Sequence, residues 1–352
     1  MQSEVQHRHR IFYKSLPKVE LHRHLEGSLR LSTMLEVARE YKLEMPLAAD
    51  KLRSLVQVQD GEPFTHGNFL SKFKTLRLFY QSPEVIQRVA REAIADAAAD
   101  NIRYMELRFT PMALAQIKGY PLAEAADWVI ESVAQAAKDY CVDTRLIVSV
   151  NRHESVEIAQ EVAQLAVDRM DKGVVALDLA GQEADYKAAP FLDLFKEARQ
   201  AGLHMTIHAG EWGGPENVVE AIKTFQTERI GHGVRVCEDP EAVALARERQ
   251  PTFEVCVTSN YQSGVAPSLE EHPLPSMLES GLDVTINTDD PSLSQIDLSD
   301  EYELACENLG LSIEQLRECM LSAAAAAFLP EEERTPLVES LKKEFAEKND
   351  KS

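Results

Sequence analysis

VVALDLAGQEADYKAAPFLDLFKEARQAGLHMTIH, residues Val174–His208, is read first because it contains a complete repeat of the fold. Val174–Ala180 is a Val/Leu/Ala run with the look of a strand. Pro190–Gln200 reads as a helix that begins on proline, where a missing N–H costs nothing. His204–His208 (HMTIH) is a second strand. Strand, helix and strand at this spacing form the unit of a parallel sheet.

The alternation continues outward in both directions. Upstream lie the β-rich runs Val19–Leu25 (VELHRHL), Ile102–Phe109 (IRYMELRF) and Arg145–Val150 (RLIVSV). Downstream lie Arg229–Gly231 (RIG), Thr252–Val257 (TFEVCV) and Asp283–Asn287 (DVTIN). Several are rich in Val, Ile and Leu, as strands covered on both faces should be. Helical stretches fall between them at Glu84–Asp100, Leu122–Tyr140, Val156–Asp171 and Pro215–Phe225. Two more, Ser312–Phe328 and Glu331–Glu347, close the chain. Eight strands with intervening helices predict an α/β fold of the (β/α)8 TIM-barrel type, a single domain over residues 1–352 with extra C-terminal helices. No repeat, low-complexity linker or interior boundary interrupts it.

One connection is oversized. Residues 26–101, after the first strand, carry two further helical patterns, Ser32–Lys42 and Asn68–Phe79. Inserts after barrel strands sit at the catalytic face, so this one is expected there as a lid. Phe64, Phe69 and Phe73 either line an apolar pocket wall or pack the insert onto the barrel. The charged tail Lys342–Ser352 is expected to fray.

Composition narrows the function. A hydrophobic fraction of 44% over 352 residues supports a sizeable core. Fifty-eight acidic and 37 basic residues give a net charge of −21, which repels nucleic acid and anionic membranes. A small neutral or weakly charged partner suits such a surface. The five cysteines are scattered without a CxxC pair, which argues against a thiolate zinc site or a disulfide framework and for a reducing compartment. The leader MQSEVQHRHRIFYKSLPK has no apolar centre and does not read as a secretory signal. No run approaches the ~18 apolar residues of a membrane span. These features point to a cytoplasmic enzyme; the oligomeric state is not encoded in them.

The polar residues that carry chemistry stand where strands end: His22 and His24 on the first, Gly181 after the fourth, His208 and then Glu211 at the fifth, His232 at the sixth, Asp289 and Asp290 after the eighth. In a barrel these ends converge on one face. His22 and His24 are i and i+2 on a strand, so both imidazoles face one way. His7-Arg8-His9 repeats the HxH pattern but sits in the charged leader, away from any strand, and reads as solvated. His204 shares the parity of His208 but lies roughly 13 Å earlier along the strand. Adjacent carboxylates before Pro291 could form only a turn, but at the last barrel strand one of them is where a metal ligand belongs. Three imidazoles and a carboxylate make a nitrogen/oxygen site suited to zinc, with room for water. Hydrolysis also needs a proton acceptor and a proton donor, and His232 (in GHG) and Glu211 (in HAGE) are the candidates.

With these residues assembled, the chain resembles the adenosine deaminase family of amidohydrolase-type barrels. The matching segments, in order from Leu16 to Pro291, are LPKVELHRHLEGSL, VVALDLAGQE, TIHAGE, RIGHGVR, FEVCVTSNYQSG and VTINTDDP. The resemblance implies His22, His24, His208 and Asp289 as ligands of one zinc ion. It implies His232 as the base that orients the attacking hydroxide and Glu211 as the acid at purine N1. Asp290 would position the hydroxide and contact N7, and the Gly181 N–H would meet N3. The implied reaction turns adenosine, and 2′-deoxyadenosine, into the inosine product and ammonia. The family usually has HLDG where this chain has HLEG; Glu26 replaces the Asp that receives the ribose 5′-hydroxyl, and Glu is common in the adenine-type enzymes. Adenine, aminodeoxyfutalosine or an N6-substituted adenine nucleotide are therefore alternative substrates. Val257 replaces the proline usual before Thr-Ser. A non-catalytic nucleoside-binding barrel would be marked by loss of the acid or base, and Glu211, His232 and Asp290 are all present. The HxE/PCxxC signature of cytidine-type deaminases is absent.

Overall fold

In the computed structural model, which describes residues 2–349, eight parallel strands pair in chain order. They are β1 (Lys18–His24), β2 (Ile102–Phe109), β3 (Asp143–Asn151), β4 (Val174–Ala180), β5 (His204–Ala209), β6 (Arg229–His232), β7 (Thr252–Val255) and β8 (Asp283–Ile286). The chain just past β8 closes the ring against β1: the His24 amide donates to Asp289 O at 2.8 Å and the Asp289 amide to His22 O at 2.9 Å. The fold is thus the expected (β/α)8 barrel, with every expected strand present within two residues at each end. β7 stops two residues early because Cys256 caps the short helix Val257–Gln262. The helix expected over 215–225 is α-helical for Pro215–Glu220 and winds on as a π-helix, Ala221–Phe225.

The strand interiors differ from apolar runs covered on both faces. Outward residues such as Met105, Leu107 and Phe109 are apolar and fully buried against helices. On β2 the alternate positions facing the barrel axis, Tyr104, Glu106 and Arg108, are polar and just as buried. Tyr104 donates to Glu106 at 2.8 Å, Arg229 bridges Glu106 and Glu254, and Arg108 Nη2 meets Glu254 at 2.8 Å. Charges this deep persist only when paired, and this interior layer forms the floor beneath the catalytic end.

Both chain ends are more ordered than their charge suggests. The leader forms the helix Gln2–Ser15. Tyr13 is buried and its hydroxyl donates to Glu307 at 2.7 Å, while Arg10 bonds Asp297 and Asp300. His9 reaches Glu307 at 3.4 Å; the His7 side chain lies outside the described residues. The tail, expected to fray, stays helical over Glu331–Asn349, and residues 350–352 lie outside the described residues. The cause is Leu341 and Phe345, one turn apart and 0% and 1% exposed. Phe345→Ala should destabilise the protein by about 3–5 kcal/mol, read as a lower denaturant midpoint at unchanged slope. A surface-like change of below about 0.5 kcal/mol would show that the tail is not docked.

Between β1 and β2 the insert adds the helices Leu31–Glu40, Ala49–Val56 and His66–Leu76 before Pro83–Ala99. Both roles considered for its aromatics occur. Phe69 and Phe73 line the cavity at the C-terminal mouth of the barrel, whereas Phe64 packs edge-on against Tyr261 at 4.9 Å. Among the described residues no helix is long and apolar enough to cross a membrane.

Candidate active site

All nine residues singled out from the sequence reach the C-terminal mouth of the barrel. His24, Glu26, Gly181, His208, Glu211, His232, Asp289 and Asp290 line one cavity of about 320 Å³, and His22 lies fully buried at its base. His204, too far along β5 to join them, points away: it pairs with Glu228 at 3.1 Å and stacks on Phe328.

Four atoms converge at the floor. Asp289 Oδ1 lies 3.4 Å from His22 Nε2 and 3.3 Å from His24 Nε2, and His24 Nε2 lies 3.4 Å from His208 Nε2. Ligands about 2.0–2.1 Å from a tetrahedral zinc stand about 3.3–3.4 Å apart, so these separations are the edges such an ion requires. His22 Nε2 is buried without any hydrogen-bond partner, a lone pair with nothing to accept. His22 Nδ1 bonds Glu254 at 2.7 Å and His208 Nδ1 bonds Asp178 at 3.0 Å. Each carboxylate accepts a hydrogen bond from Nδ1–H, which keeps the proton on that nitrogen and leaves Nε2 free to bind a cation. Burial would raise the Asp178 carboxyl, but His208 and Arg108 hold it well below the usual carboxylate range. Burial opposes the ionised form of Asp289 too, yet His22, His232 and His24 hold it low. Ser259 donates to Asp289 Oδ2 at 2.6 Å, which leaves Oδ1 to the histidines. The residues fit zinc.

Above this floor stand two carboxyls of the opposite character. Burial pushes Glu211 well above its ordinary value, aided by Asp289, Glu183 and Asp290. Burial and the neighbouring Asp289 and Glu26 do the same to Asp290, whose Oδ1 has no partner. Asp290 folds over Gly27 so closely that a Cβ there would collide with its side chain. His232 (φ 59°) and Asp289 (φ 63°) both adopt left-handed backbone conformations. For residues with a side chain that costs of order 1–3 kcal/mol each and is tolerated where surrounding structure imposes it, typically at functional sites. Gly181 (φ 89°) turns the chain at the rim, with space for a Cβ closed off by His153 and Arg152.

Glu26 is buried, and its pKa is pushed up to about 7 by that burial. Its Oε1 accepts the Thr110 amide at 2.7 Å, and Oε2 is unpartnered. The alternative that it faces solvent or pairs with Arg23 or Arg30 does not hold: Arg23 bonds Ser28, and Arg30 bonds Asp96.

Several residues of this site do not stand out in the sequence. Glu254, Asp178 and Arg108 support the histidines from below. Glu183 accepts the amides of Gly210, Glu211, Trp212 and Gly213 and the Asn217 side chain, which fixes the loop that carries Glu211. Glu301 holds Val257 and Thr258, and Glu20 holds Thr288. The available signal is an acid in the middle of an apolar strand, as in VVALDLA and TFEVCV, because such an acid must find a buried partner.

An eight-stranded barrel with this donor set at its C-terminal mouth, and two buried carboxyls of raised pKa above it, has the construction of a metal-dependent hydrolase. The adenosine deaminase family model matches residues 17–344, and the chain belongs to that family. It is 40% identical over 331 residues to an adenosine deaminase of Klebsiella pneumoniae, covering 94% of this chain and 98% of that one. Among solved structures, an amidohydrolase with bound zinc from Burkholderia ambifaria superposes with a TM-score of 0.89 at 27% identity, covering 97% of this chain and 94% of that one. An adenine deaminase from Arthrobacter aurescens gives 0.86 at 27% identity, covering 93% and 98%.

Proposed function

We propose that this protein hydrolyses the 6-amino group of adenosine, and of 2′-deoxyadenosine, releasing ammonia and the corresponding inosine, with residues 1–352 acting as one barrel unit. His22, His24, His208 and Asp289 are the ligands of one zinc ion per chain. When bound, zinc supplies the Lewis acidity that brings the pKa of water to about 7. Glu211 holds a proton and delivers it to purine N1 as hydroxide, formed when water gives up a proton to solvent, adds at C6. Asp290, kept neutral, donates to N7 and helps place the attacking oxygen. Gly181 offers its backbone N–H to N3, and His232 faces the attacking oxygen. The observation that carries this reading is the convergence, in one cavity, of four zinc-suited donor atoms with two carboxyls whose pKa burial raises. The net charge of −21 and five scattered cysteines support a small purine nucleoside as partner and the reducing cytoplasm as location. The test is ammonia release by purified protein from adenosine, 2′-deoxyadenosine, adenine, aminodeoxyfutalosine and N6-methyl-AMP. Adenosine should give the highest kcat/KM.

One observation favours a second reading, adenine as substrate: Glu26 stands where the nucleoside enzymes carry Asp. The nucleoside reading assigns its unpartnered Oε2 to the ribose 5′-hydroxyl. A hydrogen bond contributes about 0.5–1.5 kcal/mol when Glu26 is neutral and about 1.5–3 when it is ionised, so Glu26→Ala should lower kcat/KM for adenosine by about 2- to 150-fold, with the larger loss above pH 7. The loss on 5′-deoxyadenosine, which has no such hydroxyl, should be much smaller. Equal losses on both would show that Glu26 does not read the sugar, and a wild-type preference for adenine would establish the second reading.

A further inference from the structure

Behind His232, on the side away from the cavity, three hydrogen bonds run in series. The Leu274 amide donates to His272 Nδ1 at 3.1 Å, His272 Nε2 lies 3.3 Å from Asn260 Oδ1, and Asn260 Nδ2 lies 3.1 Å from His232 Nδ1. His272, Asn260 and His232 are 3%, 0% and 1% exposed, so water does not substitute for a missing partner. Asn260 is itself anchored, its backbone carbonyl accepting the amides of Val265 and Ala266 at 2.9 and 3.0 Å.

A backbone N–H only donates, and that fixes the direction of the whole series. His272 Nδ1 must accept, so the neutral ring carries its proton on Nε2. Burial pushes His272 down to about 3, which keeps it neutral at any working pH. Its Nε2–H then occupies Asn260 Oδ1 and turns the Asn260 NH₂ toward His232. His232 Nδ1 must accept in turn, so its proton sits on Nε2, the nitrogen 3.6 Å from Glu211 and 4.0 Å from Asp289. Turning the amide over would require His272 to carry its proton on Nδ1, facing the Leu274 N–H. Two donors would then meet in a dry site.

We propose that Asn260 and His272 are positioning residues that hold the His232 proton on Nε2, so that His232 meets the attacking oxygen as a hydrogen-bond donor instead of as a base. The proposal rests on the hydrolytic reading for its consequence but not for its geometry. It also separates His232 from the metal ligands. One of its ring nitrogens lies within 4.8 Å of ring nitrogens of His22 and His208; with Nδ1 engaged by Asn260 and Nε2 protonated, neither has a lone pair to give.

The test reads the tautomer directly, by ¹⁵N NMR of histidine-labelled, zinc-loaded protein, with His232 assigned from a His232→Asn spectrum. In the wild type the His232 Nε2 should carry the proton and Nδ1 should resonate as an unprotonated nitrogen. His272→Ala should mix the two tautomers and lower kcat by about 10- to 100-fold, the usual cost of losing a supporting partner, with KM within about threefold. His272→Gln, which keeps an N–H donor toward Asn260, should recover most of that loss. Asn260→Asp places an acceptor against Nδ1 and should move the proton onto that atom. A wild-type His232 protonated on Nδ1 overturns the proposal, as does a His272→Ala protein with unchanged tautomer and kcat. If His272→Ala does not fold, the wild-type and His272→Gln spectra decide. The tautomer is read without turnover, so an error in the assigned substrate leaves this result standing.

Discussion

Glu211→Gln should lower kcat by about 10²–10⁴-fold, the range general acid catalysis contributes, while the protein keeps its zinc. The substitution preserves shape and volume and removes only the transferable proton. The proposed acid role depends on that proton being present, and burial at this site favours the protonated form. Burial first, then Asp289, Glu183 and Asp290, drive the Glu211 pKa well above the ordinary carboxyl value. The sign of the pH dependence follows. A group whose raised pKa keeps it in the active, protonated form loses activity as pH rises through that pKa. The wild-type kcat profile should therefore carry an alkaline limb, and the Gln variant should lack it. Glu183 receives four consecutive loop amides and thereby aims Glu211 at the cavity, so the loss in Glu211→Gln is chemical, not conformational. A variant within about threefold of wild type, or one that retains the alkaline limb, would exclude Glu211 as the acid.

How much of this molecule can be read from its sequence depends on where each interaction's partner lies. Strands β2 and β4 are legible to the residue because their outward positions are apolar and they are bounded by Asn101 and Thr110 in β2 and by Gly173 and Gly181 in β4. β6 is legible only weakly: Arg229 and Gly231 face the crowded interior, leaving Ile230 as the sole apolar mark. The leader helix is hidden because its charges, read alone, suggest solvent; Arg10 finds its partners 287 and 290 residues away. The same holds for the interior network, in which Arg108 and Glu254 are 146 residues apart. By contrast, the proposed metal-binding set is legible because strand parity and barrel closure are general rules: HxH on one strand and single polar residues at other strand ends must converge. Glu26 is legible as a position and not as an environment. Its burial and its amide partner Thr110 come from a strand end 84 residues away.

Removing the metal should abolish activity, and the donors should fail together. Purified protein is expected to contain about one zinc per chain. Three neutral imidazoles and one carboxylate favour zinc over magnesium or calcium, which prefer all-oxygen cages. Lewis-acid activation is worth several kcal/mol, so exhaustive chelation should cost at least about 10³-fold in kcat, restored by added zinc. Asp289→Ala should bind zinc poorly for two reasons. It deletes the donor that His22 and His24 both approach, and it leaves three neutral imidazoles with no anion among them to offset the charge of a buried cation. Binding to the folded state alone stabilises it by mass action, so chelation should also lower Tm in the wild type, with little further effect in Asp289→Ala. The melting shift is read without substrate, which separates loss of metal from a wrong choice of substrate. Full activity in protein shown by elemental analysis to be metal-free would remove the hydrolytic mechanism, whereas a zinc-loaded protein inactive on adenosine would leave the site intact and redirect the search to other 6-aminopurines.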